Sequence, residues 1–156
     1  CKSVNKDIEI KKQLYEKCIC FVNERLQTIK NAIDEVQESL TTETKSSAGD
    51  KHETGRAMLQ LEREKLGQQL ASIQTLEQTL QKINVEIGSK KVNLGSLVYT
   101  SEHNYFIAIS AGEIVYKNQI FYAISFSTPI AKVLLSKETG DKIQFGNSTF
   151  AITKIV

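Results

Sequence analysis

From Val22 the apolar side chains fall at Val22, Leu26, Ile29, Ile33, Val36 and Leu40, in alternating steps of four and three. That rhythm lays one apolar stripe along an α-helix and is the seam of a coiled coil. Tyr15 and Ile8 extend it backwards by whole heptads, so the spacing predicts a helix that starts near Val4 or Asn5. After an interruption the stripe resumes at Leu59, Leu66, Leu70, Ile73, Leu76, Leu80, Ile83 and Ile87, which predicts a second amphipathic helix. The stretch between them, Thr41 to Thr54, is rich in Thr, Ser, Gly and charge and too short for a domain, so the simplest packing folds the second helix antiparallel onto the first. About 36 residues at 1.5 Å each then make an arm of roughly 50 Å. The same seam would serve equally to pair two copies of the chain.

From Lys91 the period changes to two. Leu97 and Tyr99, then Tyr105, Ile107 and Ile109, flank the polar turn Ser101 to Asn104 and predict a hairpin of half-buried strands. Ile114 to Tyr116, Ile120 to Phe126, Lys142 to Phe145 and Thr149 to Ile155 continue the alternation. Pro129 interrupts it, at a first helical position after the capping candidates Ser127 and Thr128, and opens a short helix with Ile130, Val133 and Leu134 on one side. The expected fold class is α+β. A coiled-coil helical hairpin over residues 1–87, its acidic tip at 45–54, is followed by a small, mostly antiparallel β domain with one helix over 88–156.

Composition supports two parts that bury different kinds of surface. Only two of the aromatic residues, Tyr15 and Phe21, precede residue 86, while nine lie between Tyr99 and Phe150. With 156 residues, 40% apolar and 24% charged, the chain is neither disordered, collagenous nor a disulfide mini-scaffold. A formal charge of +2 is too small to make duplex DNA the obvious partner. No apolar run approaches the roughly 20 residues that span a bilayer, and the start of the chain does not read as a signal peptide, so a cytoplasmic protein without a membrane partner is expected. Cys1, Cys18 and Cys20 are odd in number and crowded together, which favours reduced thiols. Two residues apart on a helix, Cys18 and Cys20 point about 200° away from each other and cannot share a zinc ion.

Chemistry is concentrated at the turn between the helices, Ala48-Gly49-Asp50-Lys51-His52-Glu53-Thr54. At the start of the second helix, Asp50 and Glu53 share one side of the first turn and could together bind a divalent cation. The same spacing makes a capping box, with Asp50 as N-cap and Glu53 reaching back to a free amide, and spacing favours that second role. His52 lacks the second histidine of a zinc-protease helix. Ser46 and Ser47 have no positioned base, and no phosphate-binding glycine loop occurs. Asn147-Ser148-Thr149 is a formal glycosylation sequon with no meaning in a cytosolic chain.

A helical hairpin with an acidic tip, followed by a small β domain, resembles the bacterial Gre transcript-cleavage factors. Two stretches carry the likeness: Gly49-Asp50-Lys51-His52-Glu53-Thr54 at the bend, and Thr128-Pro129-Ile130-Ala131-Lys132-Val133-Leu134-Leu135-Ser136-Lys137-Glu138-Thr139-Gly140-Asp141, in which only the family's Ser (here Thr128) and one Gly (here Ser136) are replaced. The resemblance implies an FKBP-like second domain and a monomer that enters the secondary channel of bacterial RNA polymerase. There Asp50 and Glu53 would hold Mg²⁺ supplied in the complex and promote cleavage of the RNA 3′ end of a backtracked complex. The chain alone would not be an enzyme. Pro129, Ile130, Ala131, Lys132, Lys137 and Asp141 are the polymerase-docking candidates by the same resemblance. Lys51, Thr54 and Ala57 depart from the family's tip, and Lys51 and Arg56 bring positive charge to it, which leaves a non-cleaving inhibitor of the polymerase as the alternative. Two further readings stay open: a structural coiled-coil dimer, and a prolyl isomerase using Tyr99, Tyr105, Phe106, Phe121, Tyr122 and Phe126, aromatics whose strand spacing suits a core better.

Overall fold

The computed structural model describes residues 2–45 and 50–156, with side chains described for 6–42 and 55–156. Two helices come first, α1 (Lys2–Lys45) and α2 (Asp50–Gln81), followed by the strands β1 (Leu97–Thr100), β2 (Asn104–Ala108), β3 (Gly112–Tyr116) and β4 (Gln119–Ser125), the helix α3 (Pro129–Leu134), and β5 (Lys142–Phe145) and β6 (Ser148–Ile155). The fold is α+β, a long helical region followed by one six-stranded sheet. Two compact units divide the chain. One comprises Cys1–Phe21 with Gln78–Val156, the other Val22–Glu77.

Within the first unit the buried face of α1 steps by four, through Ile10, Leu14 and Cys18, with Lys11 beside it. The heptad rhythm predicted Ile8 and Tyr15 instead, and both are only half-buried. The reason is the number of neighbours. Here α1 meets the end of α2, where the Tyr15 hydroxyl donates to Leu80 O at 2.9 Å, and also the chain's last residues, where Lys11 donates to Val156 O at 3.1 Å. Helix α2 winds down through the turn bonds Lys82 N to Thr79 O and Ile83 N to Leu80 O, so Ile83 and Ile87 leave the predicted helix. Ile83 is buried, with Cγ2 only 3.0 Å from where a Cβ on Gly95 would sit, while Ile87 is exposed. Gly95 has φ 91°, so neither the space nor the backbone admits a side chain there.

The sheet order is β3-β4-β2-β1-β6-β5. Four of its neighbouring pairs are antiparallel, but β2 and β4 are parallel, with Tyr105 opposite Tyr122 and Ile107 opposite Ile124. The sheet is mostly antiparallel, as expected, but this one parallel pair makes it mixed, where a wholly antiparallel sheet would have none. Alternation identifies strands but not their order: the chain leaves β2, passes to the edge as β3 and returns as β4 between the two, in the direction of β2. A two-residue turn makes that return. Lys117 and Asn118 both hold positive φ, 49° and 64°, the type I′ geometry whose twist suits a hairpin.

One face of the sheet and α3 enclose a core of Val92, Val98, Ile107, Ala131, Leu134, Ile143, Phe150 and Ile152. Among the described residues of the second unit only Val22, Leu26, Leu66 and Ile73 are buried, at heptad positions, and the remaining seam residues from Ile29 to Leu40 are half-buried.

Candidate functional site

The segment from Thr128 to Asp141 is built around α3, and Thr128, Pro129, Ala131, Ser136 and Asp141 each have a local task in it. The Thr128 side chain caps the helix, accepting from Ala131 N at 3.4 Å while its own hydroxyl donates to Ser125 O at 2.7 Å. Pro129 stands at the first turn, where its missing N–H has no partner to lose. Ala131 and Leu134 are fully buried, so Ala131 works inside the core and offers no surface to a partner. Ile130 packs partly against that core, and Lys132 and Lys137 are exposed.

Past the helix, Ser136 turns the chain with φ 68°. The turn is locked on both sides, since Ser136 N donates to Val92 O and Val92 N donates to Lys137 O, each at 2.9 Å. Asp141 is similarly engaged: its carboxylate accepts from Glu138 N at 2.7 Å, closing the turn that contains Gly140. Of the docking candidates, Pro129, Lys132 and Lys137 therefore present surface on and after one short helix, while Ala131 is buried in the core and Asp141 closes the turn that follows.

The tip candidates stand at the start of α2, where Asp50 and Glu53 are three residues apart in its first turn. Their side chains, like that of His52, lie outside the described residues, and so do Ser46 and Ser47. Further along α2, Met58 and Leu61 are exposed, at 67% and 66%. Among the described residues no group of three or more His, Cys, Asp or Glu side chains is placed to hold a metal ion, and no helix is long and apolar enough to cross a membrane. Cys18 is buried and Cys20 exposed, which puts the two thiols in different surroundings. Burial pushes the Cys18 thiol up to about 12, leaving it protonated and unreactive at neutral pH.

The aromatic residues divide by face. Phe106 and Phe121 are fully buried, and Tyr99 meets Phe121 edge to face at 6.0 Å. His103, Tyr105 and Tyr122 form a second group, with His103 5.4 Å from Tyr122. Tyr105 is shifted above its ordinary acidity range by burial and by the nearby Glu102 and Tyr122.

One residue that pattern reading passes over is Lys11, which is 2% exposed and donates to Ile87 O as well as to Val156 O. Burial lowers its pKa, because desolvation disfavours the ammonium. A lysine on the flank of a heptad stripe carries no mark of this fate; its burial follows from the connection and the last strand closing over α1. No protein-family model matches the chain, and a search of the curated proteins finds no match.

Proposed function

We propose that this chain is a Gre-like factor: a coiled-coil hairpin carrying Asp50 and Glu53 at its tip, on an FKBP-like domain, that binds bacterial RNA polymerase and stimulates cleavage of backtracked RNA. The observation that carries the reading is the Thr128–Asp141 segment. Its likeness to the family's motif is matched by local tasks for Thr128, Pro129, Ala131 and Asp141 and by a positive φ at both positions where the family's pattern has glycine, Ser136 and Gly140. A residue type chosen for its backbone freedom would be expected at such a place.

The hairpin reading draws on two contacts, each inside one unit. Tyr15 bonds to Leu80, and Glu24, Arg25, Thr28 and Ile29 line one groove with Gln69, Ser72 and Ile73. In both places residue numbers on α1 and α2 add to nearly the same total, as antiparallel helices require. On the proposed hairpin, such a pairing would carry the acids at the start of α2 to its far end.

Two carboxylates cannot fill the near-octahedral shell of Mg²⁺, so Asp50 and Glu53 would hold the ion only together with oxygens of the polymerase and the RNA. Bound there, Mg²⁺ would polarise the scissile phosphate and supply the attacking hydroxide. The task of this chain is to carry two ionised oxygens to the place. Lys51 and Arg56 give the second reading its specific support, since cationic side chains beside the acids compete with the metal for them. In that case the tip enters the channel and blocks it.

The test is a purified bacterial RNA polymerase halted in a backtracked state with Mg²⁺. Adding the protein should release short 3′ RNA fragments, and Asp50→Asn or Glu53→Gln should abolish the release without weakening binding. Binding with slowed nucleotide addition and no fragments selects the inhibitor; absence of binding sinks both readings.

A further inference from the structure

Beside the sheet, inside the first unit, lies a cleft of about 600 Å³ that the proposed function does not use. Its walls come from three distant parts of the sequence: Lys6 and Asp7 on α1, Tyr99 on β1 with Lys154 on β6, and Lys117 with Gln119 at the β3–β4 turn. Three lysines and one carboxylate thus line the cleft, and Asp7 is already ion-paired with Lys154. A net positive charge remains, from Lys6 and Lys117. The volume falls within the range of small-ligand pockets.

The way Lys117 is held gives a second, independent observation. A type I′ turn favours Asn or Gly at both central positions, because both need positive φ, yet the first is a lysine at φ 49°. Its ammonium stands 5.4 Å from the centre of the neighbouring Tyr116 ring, which restrains a side chain that lines the cleft. A backbone conformation unfavourable for lysine, kept at the edge of a basic cleft, points to a use for the charge.

We infer that this cleft binds the oligophosphate group of a small anion. Lysines, compact point charges from three directions, suit the several oxygens of a di- or triphosphate; no arginine fork is present to favour a single planar carboxylate. Tyr99 adds a neutral donor, because burial and the charge of Asp7 push its hydroxyl up to about 12 and keep it protonated. The oligophosphate could belong to a nucleotide or to free polyphosphate, which share this chemistry.

Isothermal titration of the full chain with inorganic tripolyphosphate, and separately with ATP, tests the inference at low salt. One saturable site is expected, with affinity falling about tenfold from 50 to 200 mM salt, as for a contact between a few charges. Lys117→Asn should weaken binding about fivefold through the lost ammonium while leaving the thermal midpoint unchanged or raised, because Asn suits the turn; a folding defect cannot produce that pair of results. Lys6→Gln should weaken binding similarly, and Lys91→Gln, away from the cleft, should not. ATP binding more tightly than tripolyphosphate identifies a nucleotide as the source, and equal affinities identify free polyphosphate. The inference is overturned by absent or unsaturable binding, by an equal loss in Lys91→Gln, or by a single-stranded RNA oligomer that binds where tripolyphosphate does not.

Discussion

The two units bury their apolar side chains to different depths. In the unit formed by Cys1–Phe21 and Gln78–Val156, Leu97, Val98, Phe106, Ile107, Phe121, Leu134 and Ile152 are at most 1% exposed. In Val22–Glu77 most seam residues keep part of their surface in water. A sheet face covered by a helix can enclose a side chain on all sides, whereas a helix with one partner can cover only a stripe. Stability is therefore concentrated in the sheet unit, and the helical unit holds its apolar side chains less completely.

The largest effect should come from truncating the enclosed core. Phe121→Ala is expected to cost about 4 kcal/mol in urea unfolding, through lost burial and the cavity left behind. Ile33→Ala, on a half-buried seam position, should cost about 1 kcal/mol. Tyrosine fluorescence offers a selective readout, because all five tyrosines belong to the sheet unit. Equal losses for the two variants would break the contrast.

How much of this was legible in the sequence depends on whether a feature is local. Thr128 and Pro129 announced α3, and alternation found every strand, because capping and pleating are decided by near neighbours. The parallel seating of β4 beside β2 was hidden, since strand order is a global property that no period encodes. Lys11 was hidden likewise, a charged residue beside an apolar stripe that becomes buried only when segments some 76 and 145 residues away close over it. At the candidate sites the same division holds. Asp50 and Glu53 could be read from their spacing, whereas Lys6, Lys117 and Lys154 meet only in the fold, and Lys117-Asn118 was their one local trace.

Lys11 supplies the next prediction. Lys11→Met keeps the apolar stem but strips two backbone carbonyls of their donor, and should cost about 2 kcal/mol in the sheet unit. No loss would mean that water replaces the ammonium without penalty.

Alkaline pH should sharpen the contrast further, because Lys11 and Cys18, with opposite shifts, both belong to the sheet unit. The Cys18 thiol, at about 12 when folded against 9 for the free group, binds its proton more tightly in the native state. Its contribution is fully present below pH 9 and falls by up to about 1.4 kcal/mol per pH unit above it. Lys11 acts in the reverse direction: its folded pKa is lowered, so the cost of burying its charge fades as pH rises towards 10.5. Urea midpoints between pH 8 and 10 should thus decline more steeply in Lys11→Met than in the wild type, and less steeply in Cys18→Ala. A Cys18→Ala profile parallel to the wild type would rule the thiol out.

The smallest effects should separate the units most cleanly, because opposite exchanges are expected to stabilise them. Ser136 holds φ 68°, a conformation that costs an L-residue about 1 to 2 kcal/mol and glycine nothing. Glycine gives back part of that through the greater freedom of its unfolded chain, so Ser136→Gly should gain about 0.5 to 1 kcal/mol. In α2 the reasoning inverts. Gly67 lies in the helix interior, where a Cβ would meet only the flexible end of Arg63, at 3.2 Å, so Gly67→Ala should gain a similar amount through helix propensity. The two gains should add in the double variant, since the sites share no partner. If Ser136→Gly instead destabilises, the bonds between Val92 and the Ser136-Lys137 turn depend on the stiffness of the serine backbone, and the strain at that position is part of what keeps α3 in place.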